Sequence, residues 1–241
     1  MTIEPSFAEA SARERARAIL DAGTFRELLD PFARVASPHL AAQGLVAQSD
    51  DGVVVARGAL AGVDAVAIAT EGRFLGGSIG EVGGAKIAGA LELAARDLRA
   101  GRAFRPVLLI DSGGIRVQEA NLALLALAEI HDAILACERY APVVALIGGR
   151  VGAYGGMAIA TALCRTIAMS EGARYGLNGP EVVEEEAGIA ELDSRDRPRI
   201  WRISGGRARV AQGVAQMLVE DTHAACRAAV LAAFGDVEAR V

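Results

Sequence analysis

An α/β core, a parallel sheet covered by helices with a helical C-terminal extension, is predicted by three features of this 241-residue sequence. Short apolar runs alternate with longer stretches of helical period, the order that right-handed βαβ units produce. Those runs lack polar alternation, so the strands are expected to be buried on both faces. Twenty-eight glycines exceed what a helix bundle uses and point to repeated tight turns or close backbone approaches. The length fits one large core better than two small ones.

Taken in order, AEASARERARAILDA (8–22) is a charged amphipathic helix closed by Gly23. TFRELLDPF reads as a second short helix stopped by Pro31, and Pro38 to Asp51 as loop. Val53–Ala56 and Ala65–Ala69 are β-type runs joined by GALAGVD, a hairpin connection. The glycine-rich EGRFLGGSIGEVGGAK follows, and then Ile87, Ala90, Leu91, Ala94 and Leu98 recur at helical spacing. Next come strand Val107–Asp111, a Gly113-Gly114 turn and helix Asn121–Tyr140, apolar almost all round between Leu122 and Leu127 and so expected to be buried on more than one side. Strand Pro142–Ile147, the loop GGRVGAYGG, helix Met157–Leu163 and strand RTIAMS complete the core pattern. Beyond Ile189 the sequence changes character: DSRDRPRIWRISGG is a charged helix holding the single Trp, ARVAQGVAQMLVED follows, and THAACRAAVLAAF is the last helix. The expected organisation is an N-terminal helical segment and loop (1–50), a core (51–190) and a helical extension (191–241), all within one domain.

Composition narrows the function classes. A net charge of −5 with both signs interspersed argues against a nucleic-acid footprint, which needs a basic stripe. No apolar run approaches the roughly 18–20 residues that span a bilayer, and the first residues lack the apolar stretch of a signal peptide, so a cytoplasmic location is expected. Cys137, Cys164 and Cys226 are far apart, form no C-x-x-C pair and read as core residues, so no metal site is expected.

Two glycine pairs, Gly113-Gly114 and Gly155-Gly156, each lie between a buried strand and a helix. Bare backbone there lets a ligand approach, and a helix start offers unpaired N–H groups. Two such turns on neighbouring strands can place two donors on one oxygen, as an oxyanion hole does. Ordinary strand-to-helix turn chemistry explains the same pattern. Other motifs fail: GGSIGEVGGAK ends at Lys86 without phosphate-loop spacing, and Gly76, Gly80 and Gly83 do not make G-x-G-x-x-G. His39, His131 and His223 lie near no nucleophile elbow, His131 reads as a helix-face residue, and Glu184–Glu186 as a solvated acidic face.

GGSIGEVGGAKI, DSGGIRVQEANLALLALAEI, PVVALIGGRVGAYGGMAIATALC and YGLNGPEVVEEEAGI, in that order, resemble the acyl-CoA carboxyltransferase branch of the crotonase superfamily over roughly residues 52–190. DDGVVVARGAL, QEANLALLALAEIH, GLNGPEVVE and DSRDRPRIW are most similar to the β subunits of biotin-independent malonate decarboxylases. The four-cysteine zinc ribbon of acetyl-CoA carboxylase β subunits has no counterpart here. This resemblance implies a crotonase-like ββα superhelix and a carbon–carbon lyase that decarboxylates a malonyl thioester to an acetyl thioester. One backbone N–H from Gly113-Gly114 (that of Ile115) and one from Gly155-Gly156 (that of Met157) would hold the thioester oxygen, with Tyr154 a candidate proton donor. It further implies a γ subunit as the second crotonase-like unit, an acyl-transferase subunit, and an acyl carrier protein with a phosphoribosyl-dephospho-CoA arm, for whose phosphates Lys86, Arg116 and Arg150 are candidates. The chain itself is expected to hold no cofactor. The helix around Trp201 and Arg202 reads as a subunit contact. Alternatives are carboxyl transfer to or from biotin, and a non-catalytic scaffolding subunit. A hydratase fits least, because Glu119 and Glu171 lack a paired-carboxylate pattern.

Overall fold

A computed structural model describes residues 4–46 and 50–238 of the chain, so residues 1–3 and 47–49 of the expected N-terminal segment and loop and the last three residues of the expected extension lie outside the described residues. Seven strands lie side by side in chain order: β1 (Arg26–Leu28), β2 (Val53–Leu60), β3 (Val63–Thr70), β4 (Arg105–Ile110), β5 (Val144–Ile147), β6 (Thr166–Ser170) and β7 (Met217–Val219). The first three pair antiparallel, and β3 through β7 run parallel. Parallel strands need helical crossovers, and those crossovers cover the sheet.

Pleat alternation sends successive side chains to opposite faces. In β4, Leu108 and Ile110 pack under α2 (Glu81–Arg99), α3 (Ala120–Glu138) and α4 (Gly155–Ala162). Val107 and Leu109 meet the other layer, made by Phe7, α1 (Ala12–Ile19) and α8 (His223–Glu238). A capping box of Ser11 and Glu14 starts α1. Three shorter helices, α5 (Pro180–Ala187), α6 (Arg197–Ser204) and α7 (Gly206–Ala211), occupy the C-terminal third. Beyond the strand ends, single-residue bridges join Ile79 to Ile115, Ser112 to Ala153, Ala153 to Tyr175 and Arg174 to Gly205. This short second layer gives each unit the strand–bridge–helix form of a ββα turn.

Several expectations need correction. Within TFRELLDPF the residues Arg26–Leu28 form an edge strand on β2, not a helix; Phe25 and Leu28, three apart, pack into opposite core layers, as strand residues do. Helix α2 begins at Glu81, inside the glycine-rich stretch. Glycine there serves close packing: a Cβ on Gly84 would lie 2.4 Å from the Ala126 Cβ. The expected helical extension contributes β7 to the sheet and α8 to its cover, and β1 joins the same sheet from before residue 51.

Helix α3 packs along α2, yet Leu124 and Leu125 are exposed at 52% and 59%, so the segment is not buried all round. Residues Val117–Glu138 are long and apolar enough, by length and hydropathy, to cross a bilayer, contrary to the expectation above. Glu129 and Asp132 interrupt the apolar run but not the helix, and its buried stripe (Ala123, Ala126, Leu127, Ile130) belongs to the core.

Candidate functional site

The two glycine turns touch. Ser112 donates its N–H to the Gly152 carbonyl at 2.7 Å and accepts the Tyr154 N–H at 2.9 Å, which lays one turn beside the other. Gly114 has φ +111° and Gly155 φ +55°, both in the region open to glycine. A Cβ on Gly114 would stand 3.1 Å from the Tyr154 carbonyl oxygen and 3.2 Å from the Gly155 Cα, so backbone meets backbone.

Accounting for the amides separates the expected donors. Gly113 donates to the Gly76 carbonyl at 2.9 Å, Gly155 to the Leu177 carbonyl at 2.8 Å and Gly114 to the Ser112 hydroxyl at 3.2 Å. These three are spent inside the fold. Among the described residues the N–H groups of Ile115, Gly156 and Met157 have no protein acceptor. Two of them open the first turn of α4, where orphan donors and the positive dipole end coincide. The same helix start is gripped from α3: Leu127 packs where a Gly156 Cβ would point, 2.2 Å from its Cδ1, and His131 Nε2 lies 2.9 Å from the Gly156 carbonyl oxygen. His131 therefore does more than sit on a helix face.

Of the three candidate cations, Lys86 and Arg116 both reach Asp51, and Arg150 bonds elsewhere, to Glu9. Lys86 is buried, pairs with Asp51 at 2.9 Å and donates to the Val53 carbonyl at 2.6 Å. Arg116, also buried, pairs with Glu119 at 3.0 Å, donates to the carbonyls of Asp51 and Ser78, and lies over the Phe74 ring at 5.4 Å. Both are engaged by partners inside the fold. Arg150 stands at the surface beside Glu9. The Tyr154 ring is buried near Gly176 and beneath Arg174, 5.9 Å from its centroid; burial raises the phenol pKa, and Arg174 opposes that rise. Arg174 also lies 5.1 Å over the half-buried Trp201 ring, while Arg202 is exposed.

Large apolar side chains are exposed on the elements around the turns: Leu124 and Leu125 on α3, Ile159 on α4, Leu177, whose carbonyl takes the Gly155 N–H, and Val182 on α5. Among the described residues no three His, Cys, Asp or Glu side chains gather as a metal site. All three cysteines are buried. Burial pushes the Cys137 and Cys226 thiols up to about 12 and raises Cys164 further. The reactive form is the thiolate, so at pH 8 all three are expected to resist iodoacetamide until denaturant is added. Fast labelling of the folded chain at pH 8, read by intact mass, would contradict this.

Two site residues escape sequence reading: Ser112, whose hydroxyl also donates to the Gly77 carbonyl at 2.6 Å, and Asp111. The available signal is a carboxylate closing the wholly apolar run PVLLI just before the glycine pair.

Comparison with known proteins extends this geometry. Residues 8–232 match the carboxyl transferase domain family. The chain is 42% identical over 231 residues to the malonyl-S-ACP:biotin-protein carboxyltransferase of Malonomonas rubra, covering 91% of this chain and 72% of that protein. A Pseudomonas malonate decarboxylase hetero-tetramer, solved in complex with malonate, superposes with a TM-score of 0.92 at 59% identity, over 97% of this chain and 84% of that one. The hetero-dimer of a Pseudomonas malonate decarboxylase gives 0.81 at 51% identity, over 96% and 88%. The expected α/β crotonase-like fold is the fold of these neighbours.

Proposed function

We propose that this chain, which belongs to the carboxyl transferase domain family, is one catalytic half of a malonyl-thioester decarboxylase. The family and its solved relatives make it part of an enzyme acting on carboxyl groups. The observation that carries the finer reading is the contact between the turns, with the Ile115 amide free on one and the Gly156 and Met157 amides free on the other.

Decarboxylation breaks the bond between the malonyl methylene carbon and its carboxylate. CO₂ departs, and the electron pair moves through the methylene carbon onto the thioester oxygen, giving an enolate. Donors aimed at that oxygen bind the charge as it develops, so they favour the transition state over the ground state. A proton then reaches the methylene carbon and yields the acetyl thioester. In this reading the thioester arrives on the prosthetic arm of an acyl carrier protein charged by an acyl-transferase subunit. The exposed apolar face around Leu125, Ile159 and Leu177 receives the second crotonase-like subunit, which closes the site. That partner is supported by the hetero-oligomeric state of the Pseudomonas relatives.

A second reading, transfer of the carboxyl group to a biotin protein, is favoured by the Malonomonas relative. One experiment separates them. The chain is coexpressed with its γ-type partner, given malonyl-loaded carrier protein, and assayed for CO₂ release with and without avidin. Avidin-insensitive release, falling on the order of 10²–10³-fold when Gly156→Val displaces the α4 start, is expected. Release only with a biotin protein present would move the chain to the transfer reaction.

A further inference from the structure

We propose that Asp111, clamped by Arg15, is the positioning residue that aims the amides of both glycine turns. The inference rests on the decarboxylase reading for its kinetic test and on geometry for the rest.

Asp111 follows the last residue of β4 and is 4% exposed. Its own N–H donates to the Thr70 hydroxyl at 2.7 Å, at the end of β3. Its Oδ1 accepts the N–H of Val151 at 2.7 Å and of Gly152 at 3.3 Å, and Oδ2 accepts from Arg15 of α1 at 3.3 Å. Arg15 is 1% exposed and also donates to the Thr70 carbonyl at 3.0 Å. One carboxylate thus ties the first turn, two residues downstream in the chain, to the loop that delivers the second.

The slot around it is shaped by missing side chains. A Cβ on Gly149 would fall 1.9 Å from the Asp111 Cγ, and one on Gly72 2.2 Å from its Oδ2. The opposite polarity of the same loop is also held, since Arg174 donates to the carbonyls of Arg150 at 2.8 Å and Val151 at 3.1 Å. Gly152, so fixed, accepts the Ser112 N–H, and Ser112 accepts that of Tyr154. The sequence of bonds runs from carboxylate to loop to both turns without passing through solvent.

Stability alone is a poor reason for this pair. A buried ion pair is generally no more stabilising than apolar residues of the same volume. A charged acceptor, however, makes shorter and stronger bonds to backbone N–H than a neutral one. What Asp111 adds is a fixed place for residues 151 and 152.

The test compares two double variants in the assembled complex. Arg15→Met with Asp111→Asn removes both charges but keeps an acceptor for Val151 and Gly152; Arg15→Met with Asp111→Leu removes the acceptor as well. The leucine pair is expected to show kcat about a hundredfold below the asparagine pair, the loss a misplacement of roughly 1 Å causes, with KM within about twofold. Hydrogen exchange at the Val151 and Gly152 amides is expected to be faster in the leucine pair. Equal kcat and equal exchange would overturn the proposal. Gly149→Ala, which displaces the carboxylate and leaves every charge in place, is expected to lower kcat in the same way; wild-type kcat in that variant would also overturn it. If the unmodified complex releases no CO₂, the decarboxylase reading fails while the exchange comparison still decides the positioning role.

Discussion

The Gly114→Ala variant is expected to lose on the order of 10²–10³-fold in kcat for CO₂ release, the range seen when one oxyanion donor is removed. At φ +111° an L side chain is strained, by about 1–3 kcal/mol. The added methyl would also press on the Tyr154 carbonyl oxygen at 3.1 Å and the Gly155 Cα at 3.2 Å. Both are backbone atoms, so neither can rotate aside, and the two turns must part. Gly62→Ala is the control: it has φ +75° in the hairpin between β2 and β3 and nothing near its Cβ position. It should show a similar loss of stability in thermal unfolding and an unchanged kcat. An unchanged kcat in Gly114→Ala as well would remove the contact between the turns from the chemistry.

Removing the Glu119 side chain is expected to give a large stability loss. Its carboxylate, 4% exposed at the residue level, pairs with Arg116 at 3.0 Å and accepts the Glu81 N–H at 2.7 Å. Glu119 thereby caps α2, whose own N-cap is Gly80; a Cβ there would strike the carboxylate at 2.3 Å. Glu119→Ala leaves the buried Arg116 charge unpaired, worth about 3–5 kcal/mol. The lower end applies, because Arg116 keeps its bonds to the Asp51 and Ser78 carbonyls. Loss of the cap adds about 1 kcal/mol. Urea unfolding should show the midpoint falling with the slope unchanged, and Glu119→Gln, which keeps an acceptor for Glu81, should lose less. A loss below 1 kcal/mol for Glu119→Ala would mean that solvent reaches Arg116.

The strands of the core were legible because burial on both faces leaves an uninterrupted apolar run, as in PVLLI and VVALI. The edges were not. Arg26–Leu28 is a three-residue outer strand with two charged side chains, and the same letters suit a helix; Met217–Val219 is likewise too short to show a period. The start of α2 was hidden by Gly83 and Gly84, which read as loop until Val53 is seen against the first and Ala126 against the second. Of the candidate site, the two glycine pairs stood out locally, and the choice among their amides did not: it depends on Gly76 and Leu177, whose carbonyls take two of them. Lys86 and Arg116 read as available cations because Asp51 and Glu119, their ion-pair partners, are recognisable only once the chain is folded. Arg15 meets Asp111 across 96 positions, a pairing that no local pattern encodes.

Strands laid down in chain order turn the sheet into a gauge. Neighbouring strands lie about 4.8 Å apart, and two N–H donors at that separation can each reach one oxygen at about 2.9 Å, with an angle near 110° between them. The turns after β4 and β5 sit on adjacent parallel strands, so the backbone itself offers an interval of this size to donors carried on them. That interval belongs to the main chain, and three changes would alter it: a shift in strand pairing, a wedge between the turns, or loss of the Asp111 tie to Val151 and Gly152.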